Sequence, residues 1–125
     1  MANRQYPETV LMHQFFNWLF YQYRYLYNAS FHIPNEGKRS RYVANLMHLK
    51  AGIPDILIAY PIRNHAGLFI ELKIKPNKPS KHQIEMMKIF EDNGYKCAVC
   101  YSLDECMTVV NNYLGAEDDR QCAVS

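Results

Sequence analysis

Two apolar segments of strand length carry charged residues where a buried strand would normally hold apolar ones. The first spans residues 52–60 and the second residues 67–73, and the loop between them contains Pro61 and Asn64. Two such segments around a turn-forming loop predict a β-hairpin. The fold is therefore expected to be organised around a sheet that contains this hairpin.

The charged residues of the hairpin are expected to converge. Side chains alternate between the faces of a strand, so Glu71 and Lys73 share one face, about 6.6–7 Å apart, and Asp55 on the paired strand can reach them. Unpaired buried charge is heavily penalised, and a divalent ion held by Asp55 and Glu71 would remove the penalty. Glu71 and Lys73 alone could form an ordinary salt bridge, but that leaves Asp55 unexplained.

These residues occur in an order that resembles a known nuclease motif. Pro54-Asp55 followed by Glu71-Leu72-Lys73 resembles the PD-(D/E)xK signature. The wider set resembles the VRR-NUC branch, the virus-type replication-repair nucleases, over about residues 8–114. That set comprises His32-Ile33-Pro34-Asn35-Glu36-Gly37-Lys38-Arg39, Gly52-Ile53-Pro54-Asp55, Glu71-Leu72-Lys73, Ser80 and Gln83. The two short motifs alone are a weak pattern, whereas the ordered set is specific.

The resemblance implies an α/β fold with a restriction-endonuclease-like mixed central β-sheet flanked by helices. The predicted order of helix–strand–helix–strand–strand–helix–strand–helix fits this architecture. At 125 residues the chain has the length of one domain. Residues 1–125 are thus expected to form a single nuclease domain, with residues 115–125 as a flexible acidic tail.

The resemblance also implies a metal site. Asp55, Glu71 and the backbone carbonyl of Leu72 would bind Mg²⁺ or Mn²⁺, the hard cations that such oxygen ligands prefer. Glu8 is a further candidate from the first helix, although the residue four positions later, where the family often has Gln, is Met12. Glu8 is equally a favourable acid in a first helical turn.

Two further residues are predicted to be catalytic beside the two carboxylates. Lys73 would position the attacking water and offset negative charge in the transition state. Gln83 would orient the nucleophile, but Ser80 and Gln83 also have the spacing of a helix capping box. The full predicted catalytic set is Asp55, Glu71, Lys73 and Gln83.

Positive charge surrounds the predicted site. Residues 31–90 hold ten Lys and Arg against four acidic residues, although the net charge of the chain is only +2. Such an excess can be a solvated surface, but its position beside the carboxylates favours a polyanionic substrate. Glu36 is an alternative accessory acid. The predicted nucleic-acid-binding residues are Asn35, Lys38, Arg39, Arg41, Lys75, Lys78 and Lys81.

The function that follows is metal-dependent cleavage of DNA by a structure-selective endonuclease, with a dimeric Holliday-junction resolvase as the leading prediction. A small chain without further DNA-binding domains would extend its footprint by pairing, and two-fold pairing matches a four-way junction. The alternatives are a flap, nicking or restriction-type endonuclease, and an inactive nucleic-acid-binding module. No small-molecule cofactor is expected.

The local patterns predict helix boundaries and core positions. A first helix over about residues 7–25 has an apolar band wide enough either to be wrapped by the core or to pair with a second copy. Later helices are predicted to begin after Ser40, Ser80 and Ser102. Their predicted inward positions are Tyr42, Val43, Leu46 and Leu49 before Gly52; Ile84, Met87 and Phe90 before Gly94; and Leu103, Met107, Val110 and Leu114 before Gly115.

The cysteines and the lack of a recognisable signal sequence indicate the cellular compartment that we expect for the protein. Cys97-x-x-Cys100 could belong to a zinc site, but both lie in a predicted strand on opposite faces, and a second ligand pair is missing. Buried free thiols are the favoured interpretation. No secretory signal or membrane span is predicted. We therefore expect a cytoplasmic protein of a bacterial or phage-infected cell, associated with the nucleoid through DNA.

Overall fold

The computed structural model describes residues 7–34 and 40–115, and in these residues four strands form one mixed sheet. Along the sheet they follow in sequence order, as β1-β2-β3-β4. Strands β2 and β3 pair antiparallel, which confirms the predicted hairpin. The β1–β2 pairing is also antiparallel, and the β3–β4 pairing is parallel. The strands are β1 (Ser30–His32), β2 (Ile56–Ile58), β3 (Leu68–Leu72) and β4 (Lys96–Cys100).

Helices cover both faces of the sheet, as predicted. They are α1 (Pro7–Gln22), α2 (Arg24–Asn28), α3 (Arg41–Leu46), α4 (Lys81–Asp92) and α5 (Leu103–Tyr113). In the described residues, none of these helices is long and apolar enough to cross a membrane.

The main core lies between the sheet and the helices α1 and α5. Alternate residues of β3 and β2 point into it, and α1 contributes the fully buried Phe15 and Leu19. Its members on the strands and on α5 are Ile56, Ile58, Leu68, Ile70, Leu72, Cys100, Cys106, Val110 and Tyr113.

The other face of β3 packs against α4. Phe69 stacks on Phe90 with 4.2 Å between ring centroids, and Glu71 lies two residues further along the same face. Every residue of β3 is buried, as is usual for a strand covered on both faces. Glu71 is therefore a carboxylate inside the protein, not on its surface.

The first helix ends earlier than predicted, because the backbone at Tyr23 leaves the helical region. The Tyr23 hydroxyl donates a 2.6 Å hydrogen bond to Asn111 Oδ1 on α5, and α2 then turns back onto α1. Phe16 and Phe20 both pack edge-to-face on Tyr27. Much of the wide apolar band of α1 is thus covered by α2. This supports the interpretation that α1 is wrapped by the core of its own chain and does not need a second copy to cover it.

The prediction for α3 was wrong in two respects. The helix begins after its Ser40 cap as expected, but it ends at Leu46, and a positive φ of 55° at His48 reverses the chain well before Gly52. The predicted inward residues Tyr42, Val43, Leu46 and Leu49 are exposed. A helix of six residues presents less than two turns, and no described element packs over this face.

The last two helices begin at their predicted caps, but some inward positions differ. Ile84 of α4 is exposed, whereas Met87 and Phe90 are partly buried, because α4 covers only part of the sheet. On α5 the fully buried residues are Cys106, Val110 and Tyr113, not the predicted Met107. At the start of α5, Ser102 Oγ accepts from the Glu105 amide, and the Glu105 carboxylate accepts from the Tyr101 amide.

The cysteines that the structure describes are free thiols. Cys100 and Cys106 are buried in the core, and Cys97 lies on the α4 side, where burial raises the pKa of its thiol to about 12. Among the described residues no group of three His, Cys, Asp or Glu side chains is placed to hold a metal ion. The zinc alternative therefore has no support from this part of the chain. Cys122 and the predicted acidic tail from residue 116 onwards lie outside the described residues.

Candidate active site

Strand register brings the two predicted carboxylates together. Ile56 of β2 pairs with Ile70 of β3, so the next residues outward, Asp55 and Glu71, lie opposite each other. Asp55 is fixed at this point because its Oδ2 accepts a 2.8 Å hydrogen bond from the backbone amide of Leu72. The hairpin alone therefore sets the relative position of both acids.

Glu71 is buried, and its two oxygens have different environments. Oε2 accepts a 2.9 Å hydrogen bond from Gln83 Nε2 and lies 3.5 Å from Lys73 Nζ. Oε1 has no hydrogen-bonding partner among the described residues, although it is buried. Such an atom normally has a partner, so its environment suits an additional ligand such as a cation.

The surroundings raise the pKa of the Glu71 carboxyl from 4.5 to about 7. Burial is the main cause, the nearby charge of Asp55 adds to it, and Glu8 contributes a smaller increase, while Lys73 acts in the opposite direction. The raised pKa of Glu71 reflects the unfavourable free energy of two charged carboxylates that face each other in a buried environment. A bound cation would lower that cost and return Glu71 to its charged form.

An open cavity of about 420 Å³ gives access to Asp55. Asp55 and Leu72 line it on the sheet side, and Glu8 and Met12 line it from α1. Glu8, predicted as an accessory acid, thus shares a cavity with Asp55, although its own side chain is exposed. Met12 occupies part of the same wall, where the resemblance would place a glutamine.

His32 also lines this cavity, and the sequence does not single it out as a site residue. Its Nδ1 lies 2.9 Å from the backbone oxygen of Asp55. The contact arises because β1 pairs with β2, with His32 opposite Ile56. An isolated histidine on a short strand is not informative, so the available sequence signal was that His32 belongs to the segment that resembles the VRR-NUC family.

Gln83 makes two contacts with different atoms: it closes the predicted capping box and it donates to Glu71, while its role in orienting the nucleophile stays a prediction. Its Oε1 accepts from the Ser80 amide and its backbone amide donates to Ser80 Oγ, which completes the capping box. Its Nε2 remains for Glu71. The start of α4 therefore positions a side-chain donor on the buried carboxylate.

The two roles of Gln83 can be separated by mutation. We expect Gln83→Ala to reduce cleavage about ten-fold or more, because Glu71 loses a hydrogen bond inside a buried site. Ser80→Ala should lower the free energy of unfolding by about 1 kcal/mol through loss of the cap, with little change in cleavage. Cleavage rates and chemical denaturation of both variants test this. Equal cleavage losses would show that Gln83 acts only through the helix start.

The turn at Gly52 supports the beginning of α4. Its φ is +83°, and a Cβ built there would lie 2.9 Å from the His82 carbonyl oxygen and 3.2 Å from the Gln83 amide nitrogen. The turn before Asp55 and the helix that carries Gln83 are thus in direct backbone contact. This contact ties the two halves of the site together.

We therefore expect Gly52→Ala to displace the start of α4 and reduce cleavage. Gly94→Ala is the matched control, because Gly94 has a similar φ of +95° with no atom within 4 Å of the added Cβ. Both variants carry the strain of alanine in the left-handed region, about 1–2 kcal/mol. Only Gly52→Ala should lose cleavage beyond its loss of stability. If thermal denaturation and cleavage assays show the same losses for Gly52→Ala and Gly94→Ala, the contact at Gly52 does not support the site.

The predicted DNA-binding residues are partly within the described structure. Arg41, Lys75, Lys78 and Lys81 are all exposed. Lys75 Nζ lies 5.7 Å from the centroid of the Tyr101 ring, a cation–π contact beside the start of α5. Asn35, Glu36, Lys38 and Arg39 lie outside the described residues.

The residues present fit a hard divalent cation. Asp55 lines the open cavity beside Leu72, and the facing Glu71 is buried, with one oxygen that has no partner among the described residues. Although no three-ligand cluster exists among the described side chains, magnesium is often held by one or two carboxylates and completed by water and substrate phosphate.

Comparison with known proteins identifies the family of the chain. The family model of the VRR-NUC domain matches residues 2–104, which include every predicted catalytic position. The chain belongs to the VRR-NUC family. A solved structure titled as a VRR-NUC domain protein has a TM-score of 0.76 at 24% identity, and the match covers 86% of this chain and 88% of that one. No curated protein is significantly similar to the chain.

Membership of the VRR-NUC family confirms the fold predicted from the sequence and supports a nuclease of the PD-(D/E)xK type. Of the residues quoted for the motif, Asp55 and Leu72 line the cavity, and Glu71 contacts Gln83 at the start of α4.

Proposed function

We propose that this VRR-NUC protein is a metal-dependent endonuclease that hydrolyses phosphodiester bonds in branched DNA. The observation that carries the proposal is the buried Glu71 carboxylate, which faces Asp55 and has one oxygen without a partner among the described residues. A pair of carboxylates that is unfavourable without a cation, one of which lines an open cavity, is typical of a site that functions with one.

In this proposal Asp55, Glu71 and the Leu72 carbonyl hold Mg²⁺ or Mn²⁺, with Glu8 as an accessory acid on the cavity wall. When bound, the ion supplies polarisation of the phosphoryl group and a lowered pKa of a coordinated water. Lys73, paired with Glu71, places positive charge where negative charge develops. Gln83 keeps Glu71 oriented through its Nε2 and helps align the nucleophile.

Exposed basic residues on the segment that follows β3 would bind the DNA backbone. Lys75, Lys78 and Lys81 follow β3 and lead into α4, so they lie on the segment that leaves the site. Lysine and arginine contacts to phosphate give affinity without reading sequence. The proposed enzyme therefore selects DNA by shape.

We further propose that the chain acts as a two-fold dimer on four-way junctions. The aromatic surface of α1 is largely covered by α2, and the exposed apolar residues of α3 offer a better surface for a second copy. Contiguous apolar side chains at a surface often mark an interaction site. A symmetric pair would present two active sites to two strands.

A panel of labelled DNA substrates tests the function directly. A four-way junction, a flap, a splayed arm and a linear duplex would be incubated with Mg²⁺ or Mn²⁺, and again with EDTA. We expect metal-dependent nicks, strongest on the junction, together with a dimeric mass in solution. Binding without cleavage of any substrate would favour an inactive binding module, and discrete cuts in linear duplex would favour a restriction-type enzyme.

A further inference from the structure

His32 lies at the cavity of the proposed active site, and its two ring nitrogens have different surroundings. The side chain is exposed, and it lines the cavity together with Glu8, Asp55 and Leu72. Its Nδ1 lies 2.9 Å from the backbone oxygen of Asp55. This contact involves Nδ1 and not Nε2, the nitrogen on the other side of the ring, so the two nitrogens have different chemistry.

The partner of Nδ1 determines which ring nitrogen carries the proton. A backbone carbonyl oxygen only accepts hydrogen bonds, so a neutral His32 ring donates to it from Nδ1. The same Asp55 oxygen also accepts from the Ile33 amide at 2.7 Å, so both of its lone pairs are used. In this tautomer Nε2 carries no proton and is a hydrogen-bond acceptor.

Strand pairing places the ring on the side of the sheet that α1 covers. His32 pairs with Ile56, and Asp55 immediately precedes Ile56 in the chain. Residues directly opposite each other on antiparallel strands have their side chains on the same face. The Ile56 side chain is fully buried in the core between the sheet and α1. His32 therefore faces the same way, which explains why it shares a cavity with Glu8.

An acceptor at this position selects the kind of group that can lie beside His32. An ionised phosphate oxygen has no hydrogen to donate to Nε2, whereas a water molecule has two. The carboxylates of Glu8 and Asp55, which line the same cavity, are also acceptors when charged. Three acceptors in one lining suit a hydrated divalent cation, because Mg²⁺ usually keeps several waters and their hydrogens point away from the ion.

We propose that His32 is a positioning residue of this site, whose Nε2 accepts a hydrogen bond from a water molecule held by the divalent cation. The inference rests on the proposed function, since it concerns the same cation, and it adds a residue to that site. The Asp55 carbonyl fixes the ring, and the ring orients water beside the Asp55 carboxylate. Groups that orient the surroundings of a bound metal commonly change affinity or activity by about 10- to 100-fold when they are replaced.

The tautomer is tested first, on the native full chain in EDTA at pH 8. Long-range ¹H–¹⁵N correlation spectra distinguish a protonated ring nitrogen from an unprotonated one. We expect His32 to carry its proton on Nδ1, and its Nε2 signal to shift saturably when Mg²⁺ is added in excess over EDTA. The ring signals of His13, an exposed histidine on α1, should not respond. A proton on Nε2 of His32, or an Nε2 signal that ignores Mg²⁺, would overturn the inference.

Two substitutions separate the contributions of the two ring nitrogens. The amide nitrogen of His32→Asn can replace Nδ1 as the donor to the Asp55 carbonyl, but nothing replaces Nε2. The longer side chain of His32→Gln can place an amide oxygen, which is an acceptor, near the position of Nε2. In calorimetry we expect Mn²⁺ to bind His32→Asn about ten-fold or more weakly than the native chain, and His32→Gln with an affinity closer to the native value. The control, His13→Asn, should bind Mn²⁺ as the native protein does.

The order of the two variants distinguishes the water contact from a purely structural role. If His32 only held the Asp55 backbone, His32→Asn would bind Mn²⁺ more tightly than His32→Gln. That order, or equal affinities of the two variants, would overturn the inference. The Mg²⁺ response of the native ring needs neither variant, so it remains a test if one of them does not fold. Absence of cleavage on every DNA substrate, with the Mg²⁺ response and the expected order intact, would contradict the nuclease proposal and not this one.

Discussion

Replacement of Asp55 by asparagine is expected to abolish metal-dependent cleavage while leaving the fold intact. Asp55 is held by the Leu72 amide, and an asparagine Oδ1 can accept the same hydrogen bond. The substitution removes one of two proposed charged ligands, and metal ions contribute several kcal/mol to transition-state stabilisation. We therefore expect a loss of about 10³-fold or more, with a melting temperature close to that of the native protein.

The control for this variant is Asp92→Asn. Asp92 is an exposed carboxylate at the end of α4, 3.8 Å from Lys88, and its replacement changes the net charge by the same amount. The measurement is the single-turnover cleavage rate of each variant on the preferred substrate, which shows whether the carboxylate of Asp55 is needed for the reaction. Activity of Asp55→Asn within ten-fold of Asp92→Asn would remove Asp55 from the proposed metal site.

Replacement of Glu71 by glutamine is expected to separate stability from activity. The pKa of the Glu71 carboxyl is raised to about 7 in the folded protein, chiefly by burial and next by Asp55. The folded state therefore binds this proton more tightly than the unfolded chain, and stability must fall as pH rises from about 4.5 through about 7. Glutamine does not titrate, so Glu71→Gln avoids this loss.

In EDTA we expect Glu71→Gln to be more stable than the native chain at pH 8, by on the order of 1 kcal/mol once solvent screening is allowed for. The difference should disappear near pH 4.5, and cleavage with metal should fall as for Asp55→Asn. Urea denaturation across this pH range, with Glu85→Gln on the exposed face of α4 as the control, provides the measurement. A native chain that is more stable than Glu71→Gln at pH 8 without metal would contradict the account.

Strand periodicity was sufficient to predict which charged side chains of the hairpin come together. Asp55, Glu71 and Lys73 lie on one hairpin, whose alternation and register determine which side chains meet, and both features can be derived from local sequence. Capping chemistry likewise predicted the starts of α3, α4 and α5 correctly at Ser40, Ser80 and Ser102.

Features that depend on contacts between distant segments could not be predicted in this way. The contact of Gln83 with Glu71 requires the start of α4 to lie over β3, and the position of His32 at the cavity requires β1 to pair with β2. The exposed face of α3 has the same sequence pattern as a buried one, so hydrophobicity alone gave the wrong prediction there.

The most direct test of the proposed metal site is a titration of Mn²⁺ into the metal-free protein, followed by calorimetry, for the native chain and for Asp55→Asn and Glu71→Gln. The account predicts saturable binding to the native protein that each variant weakens at least about ten-fold, since each loses one charged ligand. Equal Mn²⁺ affinity in all three proteins would contradict the claim that Asp55 and Glu71 together form the metal site of this nuclease.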